Sequence, residues 1–222
     1  MDFLQDFLLH EANDLKFDLF SKYEKYLMSY TIAVQKLINV VVSDYDNNKD
    51  IMLYPILFNL HHAVELFYKT YKIFYYIMFG SCIDPINAIA PPYIKDLNLD
   101  NHRVYDLFND EEIIFTCKIF GINEKDLKQI ELNYNTLVEI SGLKNLFEQT
   151  RFPQEQKKCV AIELKKFKVS DYFKIYLIVE KIDKLLIKCL KRRYSKKKIS
   201  KTIMQKIHKK TKELNKKDMD NI

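Results

Sequence analysis

Only three glycines and five prolines are spread over the 222 residues. These are the residues that make tight turns, and a multistranded sheet needs many of them, so a chain this poor in turn formers is expected to be all-α. Apolar residues make up 48% of the sequence, enough at this length for one packed core. The expected organisation is a helical domain over residues 1–190, an antiparallel helical bundle, followed by a lysine-rich helical tail over residues 191–222.

The apolar spacing supports that reading. From about Asn13 to Val42, the residues Leu15, Leu19, Tyr23, Tyr26, Tyr30, Val34, Leu37 and Val41 recur at steps of three and four, the mark of one long amphipathic helix. The polar run from Ser43 breaks it. Asn47 or Asn48 is the expected N-cap of a second helix, with Pro55 close to its start and Gly80 at its end. This second helix is apolar on most sides, since Phe58, Leu66, Ile73 and Tyr76 lie away from the stripe of Leu60, Val64, Phe67, Tyr71, Phe74 and Met78. It is therefore the expected core element, antiparallel to the first. Ser81 to Pro92, with three prolines, reads as a loop. Helices follow over Glu111 to Phe120 and Glu124 to Ile140, separated by Gly121 with Asn123 as cap, and Ser170 is expected to cap a last strong helix. Cys159 to Leu164 is short enough to be a strand-like link or a helical turn.

The distribution of charge and cysteine excludes several classes. Cys82, Cys117, Cys159 and Cys189 stand far apart without a CxxC pair, which argues against a zinc site and a disulfide scaffold and favours a reducing cytoplasm. No metal or other cofactor is expected. The first fourteen residues have acids in place of a basic leader and read as an amphipathic helix. No apolar run approaches membrane-spanning length, so no membrane is expected. From Lys188 onward fourteen Lys and Arg face only Glu213, Asp218 and Asp220, a net of +11, which leaves −5 for residues 1–187 of the total of +6. Such a tail, opened by Arg192 and Arg193, binds nucleic acid through phosphate contacts or serves as a solvated terminus.

On the second helix His62, Glu65 and Lys69 are spaced by three and four and share one face, with His61 offset by about 100°. A carboxylate beside an imidazole favours its charged form and a nearby ammonium opposes that, a combination suited to proton transfer or to holding a phosphate. The same row serves as a plain ion pair with a hydrogen-bonded histidine, and from the row alone this structural reading leads. Two further segments offer completing groups. Asn101-His102-Arg103 brings an imidazole and a guanidinium, and Thr150-Arg151-Phe152-Pro153 brings a second fork of donors. In both, capping and ordinary surface roles are the alternative.

Taken together, Tyr54-Pro-Ile-Leu-Phe-Asn-Leu-His-His-Ala-Val-Glu-Leu-Phe-Tyr-Lys, Asn101-His-Arg-Val-Tyr-Asp-Leu and Thr150-Arg-Phe-Pro resemble bacterial members of the HEPN superfamily over roughly residues 51 to 153. The resemblance implies an antiparallel helical bundle, often a homodimer, that cleaves or binds RNA, commonly with an antitoxin or defence-system partner. Catalytic members place a His shortly after an Arg on one helix. No His follows Arg103, Arg151, Arg192 or Arg193 at that spacing. If the chain is an endoribonuclease, the resembling segments offer His62, Glu65 and His102 for catalysis and Lys69, Arg103 and Arg151 for substrate binding, and the basic tail adds Arg192 and Arg193 to the binding set. A non-catalytic RNA- or protein-binding module is the alternative.

Overall fold

The structure is a computed structural model that describes residues 14–83, 103–141 and 167–194, with side chains at 22–75, 103–141 and 167–188. Every regular element among these residues is a helix: α1 (Asp14–Ser43), α2 (Tyr45–Ile83), α3 (Val104–Phe108), α4 (Glu111–Ile119), α5 (Glu124–Ser141) and α6 (Val169–Tyr194). The all-α expectation therefore holds. The tail beyond Tyr194 and the 159–164 segment lie outside the described residues.

α1 spans the expected range, but its seam is shifted. Leu27, Thr31, Val34, Ile38 and Val41 are buried, whereas Tyr26 is 62% exposed. The polar Thr31 hides this seam from a reading of apolar spacing. It fits there because its hydroxyl bonds to the Met28 carbonyl at 3.1 Å, the local bonding that lets a threonine enter an apolar face. Only Asp44 separates α1 from α2. Asn47 and Asn48 lie inside α2, where their side-chain amides donate back to the Asp44 carboxylate and carbonyl at 2.8 and 3.0 Å. They support the helix start from within, in place of the N-cap role expected of them.

α2 also departs from expectation at two breakers. Pro55 lies well inside it, and the helix runs three residues past Gly80 to Ile83. Proline deprives the carbonyl four residues earlier of its donor. Pro55 and Ile51 are both exposed, so solvent can take the lost donor's place. As expected, α2 is buried on most sides, with Leu53, Leu60, Val64, Phe67, Tyr68 and Tyr71 at 0–1% exposure. It packs against α1, α3, α4 and α6, while α6 also packs against α1 and α5.

The later helices start on specific caps. Asp110 caps α4 by accepting from the Glu112 and Ile113 amides at 3.0 and 3.2 Å, and its other oxygen takes the Lys72 ammonium from α2. Gly121 has φ 73°, the left-handed conformation that glycine adopts without penalty. Asn123 then caps α5 by accepting from the Asp126 amide at 2.8 Å, as expected. The expected Ser170 cap is replaced. α6 begins one residue earlier, and the Asp171 carboxylate reaches back to the Lys168 amide at 2.9 Å, half of a capping box.

Candidate functional site: a buried carboxylate between two imidazoles and an ammonium

His61, Glu65 and Lys69 succeed one another at steps of four on α2, and His62 stands beside His61. One helical turn separates each pair, so the side chains meet along the helix surface. Glu65 is the centre. Its Oε1 accepts a hydrogen bond from Lys69 Nζ. Its Oε2 lies 3.5 Å from His62 Nδ1 and 3.7 Å from His61 Nε2, electrostatic contacts slightly longer than a hydrogen bond. The side chains of His61, Glu65 and Lys69 are each 3% exposed, whereas that of His62 is 14% exposed.

A partner from α5 fixes the first histidine. Tyr134 Oη lies 2.7 Å from His61 Nδ1, and both groups are buried. Burial pushes the Tyr134 phenol well above its ordinary value, helped by the nearby Tyr105 and Glu65, so the oxygen keeps its proton. If His61 Nδ1 carried the imidazole hydrogen, the bare Nε2 would face the Glu65 carboxylate lone pair to lone pair. The opposite tautomer avoids this repulsion, with Tyr134 donating to Nδ1 and Nε2–H turned toward Glu65.

His62 sits differently. Its ring stacks on Tyr30 of α1, with centroids 4.9 Å apart and planes at 26°. It meets Phe58 edge-on at 4.6 Å. These rings hold the imidazole in one orientation, with Nδ1 toward the carboxylate. The side chain is the most exposed of the four. An imidazole backed by a carboxylate and partly open to solvent is the arrangement that general-base chemistry uses.

Of the residues expected at a site, the structure brings His62, Glu65 and Lys69 together. Arg103 stands exposed at the N-cap of α3. His102 and Arg151 lie outside the described residues. Arg192 and Arg193 fall in the last turn of α6, and their side chains are likewise outside them. His61, noted in the sequence as offset from the row, joins the group, and so does Tyr134, which was not singled out. The four-residue step from His61 to Glu65 was a signal in the sequence, whereas Tyr134 is 73 residues away and gave none. Among the described residues, no group of three or more His, Cys, Asp and Glu is arranged to hold a metal ion, and no helix is long and apolar enough to cross a membrane. Neither a protein-family model, nor a curated protein, nor a solved structure matches the chain.

Proposed function

We propose that the chain is a HEPN-like helical protein that acts on RNA, with His62 as the group nearest the chemistry. The observation that carries this reading is Glu65, which gathers two imidazoles and an ammonium while His62 alone of the four keeps appreciable exposure. In this reading His62 takes the proton of a ribose 2′-hydroxyl, the 2′-oxygen bonds to the adjacent phosphorus as the P–O5′ bond breaks, and the departing 5′-oxygen is protonated by water; Glu65 stabilises the imidazolium that forms, and a cation such as Arg151 stabilises the charge on the phosphate. Tyr134 and His61 hold Glu65 in place. The reading places the protein in the cytoplasm as a homodimer with an antitoxin or defence-system partner. Total RNA incubated with the purified protein in the presence of a chelator, and with its H62A and H102A variants, tests it. Fragments from the parent protein that either variant abolishes are expected; intact RNA in every lane overturns the enzymatic reading.

The near-complete burial of Glu65 and Lys69 favours a second reading, a non-catalytic RNA- or protein-binding module in which the same polar group ties α2 to α5. It predicts RNA affinity that falls with salt, without turnover. Filter binding decides it. Absence of RNA affinity even at low salt removes both nucleic-acid readings and leaves protein partnering.

A further inference from the structure

α6 packs Ile175, Ile178, Val179, Ile182, Leu185 and Leu186 into the core. The opposite face of such a helix is ordinarily polar. Here it carries Val169 at 62% exposure, Phe173 at 61%, Tyr176 at 38% and Leu177 at 37%. Steps of four, three and one place these four on one stripe. Farther along the same stripe come Lys184 and Lys188, both exposed. Lys184 meets Glu180 at 2.8 Å, but the pair is largely open to solvent and screened, so it yields readily to a polyanion.

We propose that this outward face of α6 binds single-stranded RNA, with bases stacked on Phe173 and Tyr176 and phosphates held by Lys184 and Lys188. Every base offers a planar apolar face, and exposed rings take it without regard to sequence. Tyr176 and Lys184 are about 12 Å apart along the helix axis at 1.5 Å per residue, so one short oligonucleotide reaches both. Charge decides between occupants. The centres of protein–protein interfaces are poor in lysine, whereas this stripe passes from aromatic residues through the single acid Glu180 to lysines and leads into a segment of net charge +11 from Lys188 onward. The inference rests on the RNA reading above, but it assigns binding to a face other than the one around Glu65.

The experiment is fluorescence anisotropy with the full chain and a labelled single-stranded oligoribonucleotide of mixed sequence at low salt. Phe173→Leu/Tyr176→Leu keeps the face apolar and removes the rings; both positions are solvent-exposed, and circular dichroism verifies the fold. The expected result is a loss of affinity of about tenfold per ring. Lys184→Gln/Lys188→Gln is expected to flatten the slope of log affinity against log salt by about 0.7 per lysine. Unchanged affinity in the leucine variant overturns the α6 assignment and leaves the RNA reading standing. No binding by the parent protein overturns both. If sizing chromatography shows the leucine variant losing self-association while RNA affinity is unchanged, the face joins two copies of the chain and the inference fails.

Discussion

Tyr134 and His61 make one hydrogen bond across the α2–α5 contact, where water does not compete for it. Tyr134→Phe leaves a buried imidazole nitrogen without its donor and is expected to cost about 1–3 kcal/mol in urea unfolding. Breaking the Glu65–Lys69 pair is more severe. Lys69→Met strands a carboxylate that is 3% exposed, at an expected cost of about 3–5 kcal/mol. Adding Glu65→Gln removes the stranded charge and should recover part of that loss, a non-additivity that a double-mutant cycle measures. Asp183 provides the pH prediction. Burial pushes its carboxyl above the ordinary value, opposed by the neighbouring Thr31 hydroxyl and by the hydrogen bond that Gln35 donates at 2.8 Å. A raised acid binds more protons in the folded state than in the unfolded one. Its contribution is therefore fully present below the unfolded value near 3.8 and is lost as pH rises through the folded value. Asp183→Asn should flatten the stability-against-pH curve just above the ordinary carboxylate range. The row His62, Glu65, Lys69 was legible in the sequence because helical spacing alone aligns it. Its meeting with His61 was less so, because a row drawn through one histidine overlooks that a carboxylate has a second oxygen. Tyr134 was not legible, since no local period links α5 to α2.

The helices themselves were legible wherever apolar residues recur, and the ends of α1, α4 and α5 were legible to within a residue, whereas those of α2 and the start of α6 were not. Asn47, Asn48, Gly80 and Ser170 all carry the right chemistry for a boundary, yet each lies inside a helix. Boundaries are settled by competition among several competent residues. At α6 the Asp171 carboxylate secures the Lys168 amide, which moves the start ahead of Ser170. At α2 the packing of a buried helix outweighs the local cost of a breaker. Pro55 makes that competition measurable. Interior proline is about 3 kcal/mol less favourable than alanine, so Pro55→Ala is expected to stabilise the protein by up to about that amount, read as a higher urea midpoint with unchanged slope. A lower midpoint would mean that packing around α2 depends on the bend proline imposes.

At the scale of the whole molecule, the scarcity of turn formers was sufficient to set the fold class, because a chain without turns has few alternatives to long helices. It did not reveal the shifted seam of α1, where Thr31 replaces an apolar residue and Leu27 replaces Tyr26 at the contact. That seam matters because α1 supplies Tyr30, whose ring lies on His62. The two helices meet there across a single residue, Asp44. A connection that short has no slack to absorb a change in length. One alanine inserted beside Asp44 turns α2 by about 100° relative to α1. It would carry the buried residues of α2 out of register with the α1 seam, and His62 away from Tyr30. Cooperative unfolding is expected to be lost in that variant, and restoring the original length by deleting a neighbouring residue should bring it back. The hairpin thus behaves as a phase lock: substitutions along either helix are open to drift, while insertions and deletions at its apex are closed.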